Sequence, residues 1–483
     1  MKRAEQNRID MRELMGRLDR RDFFKDLGVA GLTLAGAGAS AATLSAKPLP
    51  STEGGGLAKV PKHLPQRLTI CPWLWAWWYT SLPGEPFHDL DQVLAEHEER
   101  AFNAIRVDVA LDACFDQQGN PRGEVEFVPF ITGLDADAIA AMGGGGSVRY
   151  NMLERVLSLY ELAKKHNVYI VQTSWAYQDS TTNLADPKLR ADIFSTPVDQ
   201  RFERLARLHN RLIEELKKHG LEKQIAFVEI HNELNASDFP TGWLAQKPLV
   251  EKALAEMQQA HPDILITADY VNVGPLFEPD FPGFDALPHN MQVADHHVYT
   301  FGIEKALCDL TNTWMGDQVP DLKSNALLRW LVRDKPRISW DEWSKAAVRM
   351  RRAWWPMMWL FVNVDIDRYD YWMLEHFGEY AGMMTTLIQS GIRDWGFFAR
   401  QRNLPAVVDE GYIFDPPRYS HFEDSAAGRM IFERVVELTM EQGYWGMMLS
   451  TYIMPLFPIW KENPGWIRKA NERFLNSASA QRT

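Results

Sequence analysis

The sequence predicts an α/β protein, a (β/α)8 barrel followed by a mainly helical C-terminal extension. Two observations predict this fold. Eight short apolar runs alternate with longer runs of helical periodicity between residues 67 and 374, which is the pattern of parallel strands joined by helices. No GxGxxG or GxxxxGKS/T motif follows any of the apolar runs. The structural rival, a doubly wound open sheet, therefore lacks the signature of its nucleotide-binding forms.

The strands are predicted where apolar, β-branched and aromatic residues form short runs. In order, they are Arg67–Trp75, Asn103–Val109, Val168–Trp175, Ile225–His231, Ile264–Tyr270, Gln292–Tyr299, Arg337–Glu342 and Arg368–Leu374. The helices are predicted where apolar residues recur three or four positions apart. Between the strands they are Leu90–Glu99, Tyr150–His166, Asp199–His219, Thr241–His261, Leu322–Asp334 and Ala346–Val362. Residues 67–400 are the predicted barrel, and residues 401–483 are the predicted extension packed on it.

The composition excludes several function classes. The chain has 52 Lys and Arg against 64 Asp and Glu, a net charge of −12, which argues against a nucleic-acid partner. Its three Cys show no CxxC spacing, so we expect neither a disulfide framework nor a zinc site. No metal and no cofactor is predicted. The 18 Trp indicate either a large core or a binding face made of flat rings.

The N-terminus has the pattern of an export signal. A basic segment ends in Arg20-Arg21-Asp22-Phe23-Phe24, and an uncharged stretch rich in Ala and Gly follows over Leu27–Ala46. This arrangement resembles a bacterial twin-arginine signal. We therefore expect a signal peptide over residues 1–46, a Pro-rich linker over 47–66, the twin-arginine translocase as a partner, and a periplasmic or secreted protein. The alternative is an uncleaved membrane anchor, because 20 uncharged residues can span a bilayer.

The fourth predicted strand ends in an unusual group of polar residues. The strand begins with four apolar residues from Ile225, and the polar residues Glu229, His231, Asn232 and Glu233 follow. Because side chains alternate along a strand, the two glutamates and His231 share one face. Polar groups that interrupt a buried strand usually serve a function, and barrel enzymes react at the carboxyl ends of their strands.

Three short motifs resemble those of clan A (β/α)8 glycoside hydrolases, which include family 5 cellulases and mannanases. Asn232-Glu233 is similar to the Asn-Glu pair that ends strand four in that clan. Phe102-Asn-Ala-Ile-Arg106 resembles its strand-two segment, and His296-His297-Val-Tyr299 resembles its His-x-Tyr on strand six. The resemblance implies that Glu233 is the acid/base, that Arg106 and Tyr299 bond the nucleophile, and that Asn232 reaches a sugar hydroxyl.

The nucleophile has two candidates. Asp341-Glu342-Trp343 ends the seventh predicted run and is similar to the Asp-Glu-Trp of family 51 arabinofuranosidases, so Glu342 is the predicted nucleophile. The alternative is Glu410, in Leu404–Tyr412, which resembles a family 5 seventh strand and is followed by a helical run over Ser425–Gln442. In that case Arg337–Leu374 would be an insertion.

The remaining predicted substrate contacts are aromatic and imidazole side chains at predicted strand ends: Trp175, His231, His297, Trp343 and Trp372. Flat rings pack on the apolar faces of sugars. The consecutive residues His296 and His297 point to opposite faces of a strand, so both cannot easily bind one metal ion. The predicted function is retaining hydrolysis of a carbohydrate substrate, with a non-catalytic sugar-binding barrel and a metal-dependent barrel hydrolase as alternatives. The metal-dependent hydrolase would use the two histidines with Asp269, Asp295 or Asp341.

Overall fold

The computed structural model describes residues 60–130, 144–278, 281–347, 349, 352–413 and 416–477. Its strands, in chain order, are β1 Leu68–Leu74, β2 Ala104–Asp108, β3 Glu124–Phe127, β4 Val148–Asn151, β5 Tyr169–Thr173, β6 Ile225–Glu229, β7 Ile266–Thr267, β8 Ala294–Tyr299, β9 Ala406–Tyr412 and β10 Gly446–Met448. Strands β3 and β4 form a separate antiparallel hairpin. The other eight form one parallel sheet in the order β7-β6-β5-β2-β1-β10-β9-β8.

Helices cover the outside of this sheet and fill the connection between β8 and β9. They are α1 Ala76–Tyr79, α2 Leu90–Glu99, α3 Leu111–Cys114, α4 Met152–Lys165, α5 Pro187–Phe194, α6 Arg201–His219, α7 Trp243–Ala260, α8 Ile303–Thr311, α9 Ala326–Leu331, α10 Trp340–Ala346, α11 Trp355–Asn363, α12 Ile366–Arg402, α13 Ala426–Gln442, α14 Pro458–Glu462 and α15 Pro464–Leu475. Several begin or end where the sequence supplies a cap: Asp89 accepts from two backbone N–H groups at the start of α2, and left-handed Gly220 ends α6.

The two edge strands of the sheet meet and nearly close it into a barrel. The backbone N–H of His297 donates to the carbonyl of Tyr270 at 2.9 Å, and that of Asn272 donates to the carbonyl of His297 at 3.0 Å. Val271 and His297 also form an isolated parallel bridge. The predicted (β/α)8 barrel with a helical C-terminal region is therefore confirmed.

The barrel interior changes from apolar to polar along its axis. Near the amino ends of the strands it is filled by apolar side chains, among them Ala104, Val171, Phe227, Val407 and Met448. Residues further along the same strands, such as Arg106, Glu229 and Asp409, are charged and fully buried. Because parallel strands of a barrel end together, these charged groups and the residues that follow them meet at one mouth.

The last two predicted strands are wrong. Arg337–Glu342 leads into helix α10, and Arg368–Leu374 lies within the long helix α12. The seventh and eighth barrel strands are β9 and β10. The segment that sequence analysis treats as strands seven and eight is thus part of a helical insertion between β8 and β9.

The structure does not divide the barrel from a C-terminal extension at residue 400. Strands β9 and β10 lie within residues 401–483, so this region completes the barrel and carries its last helices. Helix α15 returns to the start of the barrel, where Asn471 donates to the carbonyl of Arg100 at 2.9 Å. The predicted signal peptide over residues 1–46 and most of the linker over 47–66 lie outside the described residues. Within the described ranges, none of the helices combines the length and the apolar character needed to cross a membrane.

Candidate active site

Two carboxyl groups face each other at the mouth of the barrel. Glu233 follows β6, and Glu410 lies near the end of β9. One carboxyl oxygen of each lies within 4.8 Å of the other and of a ring nitrogen of His297. Glu233 is 8% exposed and Glu410 is 7% exposed. Both carboxyls therefore reach solvent at the edge of an otherwise buried polar cluster.

Arg106, on β2, is the positive centre of this cluster. Its Nη1 donates to Oε2 of Glu410 at 2.7 Å, and its Nη2 donates to Oε2 of Glu229 at 2.6 Å and to Oδ1 of Asn232 at 2.7 Å. Its Nε lies 3.1 Å from Oδ2 of Asp409. Burial alone would lower the pKa of Arg106, but the surrounding carboxylates raise it well above its ordinary value. The guanidinium therefore stays charged and orients Glu410.

His297, on β8, is the second basic group. Its Nδ1 lies 3.0 Å from Oε1 of Glu233 and 3.4 Å from Oε2 of Glu410. Its Nε2 lies 3.2 Å from Oδ1 of Asp269 and 3.3 Å from Oδ1 of Asp409. Burial alone would lower the pKa of His297, but the charges of Asp269 and Glu410 raise it well above its ordinary value. His297 is therefore an imidazolium that joins four carboxyl groups.

Tyr299 holds the second oxygen of Glu410. Its hydroxyl donates to Oε1 of Glu410 at 2.8 Å and lies 3.0 Å from Oγ1 of Thr451. Burial and the neighbouring charge of Glu410 raise the pKa of Tyr299 well above its ordinary value, so the phenol keeps its proton. Burial also raises the pKa of Glu410, while His297 and Arg106 oppose that rise. Glu410 is thus a carboxyl whose ionised form depends on its hydrogen-bond donors.

The chain turns sharply after β6 and so presents Glu233 to the mouth. Glu233 has a left-handed backbone, with φ of 44°, which is uncommon for a residue other than glycine. The backbone N–H of Leu234 donates to the carbonyl of Asp269 at 3.1 Å, and that of Ala236 donates to the carbonyl of Glu233 at 2.9 Å. These bonds hold the turn in place.

Asn232 and Gln178 form a bridge beside Glu233. Nδ2 of Asn232 donates to Oε1 of Gln178 at 2.5 Å, and Nε2 of Gln178 donates to Oε2 of Glu233 at 2.8 Å. Both oxygens of Glu233 therefore have a partner, Gln178 on one side and His297 on the other. Gln178 lies in the loop after β5, which delivers it to the same mouth.

The other predicted substrate contacts lie at the site or behind it. The ring of Trp175 stacks on Arg106, with 4.7 Å between the guanidinium carbon and the ring centroid, and is 1% exposed. His231 is fully buried: its Nε2 accepts from the backbone N–H of Tyr177 at 3.0 Å, and its Nδ1 meets the carbonyl of Asn232. His296 points away from His297 and stacks on Trp395 outside the barrel. The predicted opposite orientation of the two histidines is confirmed.

Three predicted site residues are not on barrel strands. Glu342 is exposed in the first turn of α10, where it and Ser339 bond each other's backbone N–H groups in a capping box. The hydroxyl and the backbone N–H of Ser339 both donate to Oε2 of Glu342 and lower the pKa of this carboxyl. Trp343 is buried on the same helix, and Trp372 is buried on α12, where it stacks on His376. The prediction that Glu342, Trp343 and Trp372 end the seventh strand or lie on the eighth is wrong, because local capping and helical packing determine their positions.

Four buried acidic residues of the cluster were not among the predicted catalytic or sugar-binding residues, although the metal-dependent alternative includes Asp269 and Asp295. They are Glu229, Asp269, Asp295 and Asp409. Asp269 had a visible signal, because it is an acidic residue at the end of the apolar fifth strand, as Glu233 is at the end of the fourth. Asp295 precedes the His-His pair on the sixth strand. Asp409 precedes Glu410 on a strand that sequence analysis did not count.

Comparison with solved structures finds similar folds at low identity. A provisionally assigned glycoside hydrolase from Parabacteroides distasonis ATCC 8503 is 16% identical, with 86% of this chain and 95% of that chain covered and a TM-score of 0.59. An endo-β-1,4-mannanase from Thermotoga petrophila is 12% identical, covering 85% and 77%, with a TM-score of 0.45. A family 5 mannosidase from Rhizomucor miehei is 9% identical, covering 88% and 98%, with a TM-score of 0.43.

The first of these similarities shows a shared fold. No protein-family model matches this chain, and no curated protein matches it either. Shared fold alone does not define an activity, since the (β/α)8 barrel hosts many chemistries. The functional argument therefore depends on the geometry of the carboxyl cluster.

Proposed function

We propose that this protein is an exported retaining glycoside hydrolase that cleaves O-glycosidic bonds of an oligo- or polysaccharide. The observation that carries the proposal is the carboxyl pair at the barrel mouth, whose nearest oxygens lie within 4.8 Å. Retaining glycosidases hold their two carboxyl groups about 5–5.5 Å apart, whereas inverting enzymes need about 6.5–9.5 Å for an intervening water. The spacing of Glu233 and Glu410 supports a covalent double displacement.

Glu410 is the proposed nucleophile, in place of Glu342. Arg106 donates to one of its oxygens and Tyr299 to the other. Such donors favour the ionised carboxylate and fix its direction of attack. Attack on the anomeric carbon would form a glycosyl-enzyme ester at Glu410 while the bond to the leaving-group oxygen breaks.

Glu233 is the proposed acid/base. In the first step it gives its proton to the departing glycosidic oxygen, and in the second it takes a proton from the water that hydrolyses the ester. Gln178 and His297 hold its two oxygens, so the carboxyl cannot rotate away from the scissile bond. Its position opposite Glu410 matches the two roles that the reaction needs.

The proposed substrate contact beside this pair is Asn232, which would bond a sugar hydroxyl. Trp175, whose buried ring stacks on Arg106, would hold that guanidinium in place. The motifs Asn232-Glu233 and His297-Val-Tyr299 favour a cellulase- or mannanase-like substrate with β-linked hexoses. His231, which is buried behind the site, would position Asn232 without contacting sugar.

The experiment is a hydrolysis assay over a panel of unactivated β-glycans, followed by product stereochemistry with the best substrate. We expect retention of anomeric configuration. Glu233→Gln should lower kcat about 10²- to 10⁴-fold, the usual contribution of general acid catalysis. An inverted product, or full activity of Glu233→Gln on an unactivated glycoside, would disprove the proposal.

Two other functions make different predictions in the same assay. A non-catalytic sugar-binding barrel would bind glycans without hydrolysing any of them. A metal-dependent hydrolase would use Glu233, His297 and Glu410, whose donor atoms lie within 4.8 Å of one another. A rapid loss of activity when chelator is added to the folded protein would favour that second candidate.

We also propose export by the twin-arginine translocase. The support is the Arg20-Arg21 segment and the Ala- and Gly-rich stretch after it. Expression with Arg20 and Arg21 both replaced by Lys should leave an unprocessed precursor in the cytoplasm. Undiminished periplasmic protein from that variant would rule out this route.

A further inference from the structure

We propose that a hard divalent cation, of the class of Ca²⁺ or Mg²⁺, binds inside the barrel between Glu229, Asp295 and Asp409. These residues lie on β6, β8 and β9. Asp295 lies two residues before His297, and Asp409 lies one before Glu410, so the site would be one layer deeper than the carboxyl pair at the mouth. It is distinct from the proposed catalytic pair.

The geometry of the three carboxyls fits a shared ion. One oxygen of each lies within 4.8 Å of the other two, and all three side chains are fully buried. Calcium takes oxygen ligands at about 2.3–2.6 Å, so two ligands on opposite sides of the ion are about 4.6–5.2 Å apart. A hard cation prefers carboxylate oxygens to nitrogen or sulfur ligands.

Asp295 provides the second observation. Among the residues that the structure describes, neither oxygen of its carboxyl has a hydrogen-bond partner, and the side chain is 0% exposed. Its interacting neighbours are the carboxylates of Asp409, Glu229 and Asp269 and the guanidinium of Arg106. A buried carboxyl without a partner is costly, and here it is directed at other carboxyls.

The cluster holds more carboxyl groups than basic groups. Two basic groups, Arg106 and His297, serve six carboxyl groups, which are Glu229, Glu233, Asp269, Asp295, Asp409 and Glu410. Carboxyl groups therefore outnumber basic groups by four, which leaves carboxyl oxygens for a further cation. Arg106 and His297 are already fully used by the carboxyls beside them.

The depth of the site predicts slow exchange of the ion. None of the three carboxyls is exposed, so chelator should not remove the ion from the folded protein. The ion would instead be taken up during folding and released on unfolding. This behaviour separates it from a metal at the mouth, which chelator would reach within minutes.

The first test measures the metal content of the purified protein by mass spectrometry after dialysis against EDTA. We expect roughly one Ca²⁺ or Mg²⁺ per chain, retained in the wild type and absent from Asp295→Asn. The second test unfolds both proteins in guanidinium with EDTA, refolds them, and records melting curves with and without added Ca²⁺ or Mg²⁺. We expect the wild type to melt roughly 5 °C higher with the ion and Asp295→Asn to melt at the same temperature in both.

Asp263→Asn, which changes an exposed aspartate, is the matched control and should respond to the ion as the wild type does. Without the ion, Asp295→Asn should melt above the wild type, because one buried negative charge is gone. A wild type that contains no divalent ion, or an equal response of wild type and Asp295→Asn to the ion, would overturn the proposal. If neither protein refolds, the metal contents of the two native proteins decide the question.

Discussion

The backbone N–H of Glu233 donates to Oδ2 of Asp269 at 2.7 Å. Glu233 has a left-handed φ of 44°, a conformation that costs a residue with a side chain roughly 1–2 kcal/mol. The other oxygen of Asp269 lies 3.2 Å from Nε2 of His297. One buried carboxylate therefore fixes both the backbone of the proposed acid and the imidazolium beside it.

This relationship predicts that Asp269 positions the acid rather than stabilising the fold. Burial raises the pKa of Asp269 to about 7. A folded-state pKa above the unfolded value means that the ionised carboxylate costs stability at pH values above that unfolded value. Asp269→Asn should therefore keep the melting temperature at pH 8 or raise it.

The same variant should lose activity. An amide would present an NH₂ group either to the Glu233 N–H or to the imidazolium, and both are donors. Misplaced catalytic groups cost about 10²-fold, so we expect kcat to fall roughly 10- to 100-fold with KM within about threefold. Steady-state kinetics beside melting curves would check this. Wild-type kcat, or a kcat loss that merely follows unfolding, would contradict the positioning role.

A pair of matched variants distinguishes between the two candidate nucleophiles, Glu410 and Glu342. Glu410→Gln removes a carboxylate that accepts from Arg106 and Tyr299, and kcat should fall by about 10³-fold or more. Glu342→Gln changes an exposed capping residue, so kcat should stay within about twofold and only the local helix start should weaken. Azide should restore part of the activity of a Glu410→Ala variant on an activated glycoside. The reverse pattern of losses would return the assignment to Glu342.

The sequence predicted the first six strands and the site residues on them for the same physical reason. Each strand is an apolar run that ends in polar groups, so Arg106, Asn232, Glu233, His297 and Tyr299 stood out against their neighbours. The structure places all five in one cluster. Amphipathic helices α2, α4, α6 and α7 precede the second, third, fourth and fifth barrel strands, so most of the alternation was visible in the sequence.

The last two strands were assigned to the wrong segment because of the insertion after β8, although the alternative seventh strand, Leu404–Tyr412, contains β9. Five helices, α8 to α12, separate β8 from β9, and β10 has only three residues. Within the insertion, Ser339-Trp-Asp-Glu342 carries the Ser-x-x-Glu pattern of a capping box, which indicates a helix start. That local signal was present in the sequence and outweighs the resemblance of Asp341-Glu342-Trp343 to a nucleophile motif.

The buried acids deeper in the barrel were harder to predict. Asp295 was a candidate ligand beside the histidines, but its meeting with Glu229 and Asp409 becomes visible only when three separate strands bring the carboxyls together. Such a meeting depends on the register of the whole barrel, with a shift between His296 and His297 on β8. The register is set by contacts between strands that are far apart in the sequence, so no local pattern of residues reveals it.

The hydroxyl of Tyr299 predicts a change in pH dependence. Burial raises the pKa of Glu410, and the hydrogen bond that the Tyr299 hydroxyl donates to this carboxyl lowers it. Removing the donor in Tyr299→Phe should raise that pKa, so ionisation of the nucleophile needs a higher pH. The acid limb of kcat/KM should move up by roughly one pH unit. Tyr160→Phe, which removes a buried hydroxyl bonded to Gln172, is the control, and an unmoved acid limb in Tyr299→Phe would refute the prediction.

Gly411 follows the proposed nucleophile and cannot carry a side chain. Its φ is 143°, and a Cβ there would lie 2.4 Å from the carbonyl oxygen of Val298 on β8. The obstacle is backbone in a paired strand, which cannot move without disturbing the β8–β9 ladder. Gly411→Ala should therefore lower the free energy of unfolding by roughly 3 kcal/mol or more.

The matched control for Gly411→Ala is Gly382→Ala, at an exposed position inside α12 where a Cβ would meet nothing within 4 Å. Alanine favours a helix interior over glycine by roughly 0.5–1 kcal/mol, so this variant should be more stable than the wild type. Chemical denaturation of both variants measures the two changes. Because Gly411 adjoins Glu410, residual folded Gly411→Ala should also show a reduced kcat. Equal stability of the two variants would contradict this prediction. It would mean that the β8–β9 ladder at Val298 can shift to accommodate a side chain, and that β9 therefore does not hold Glu410 rigidly against Arg106 and Tyr299.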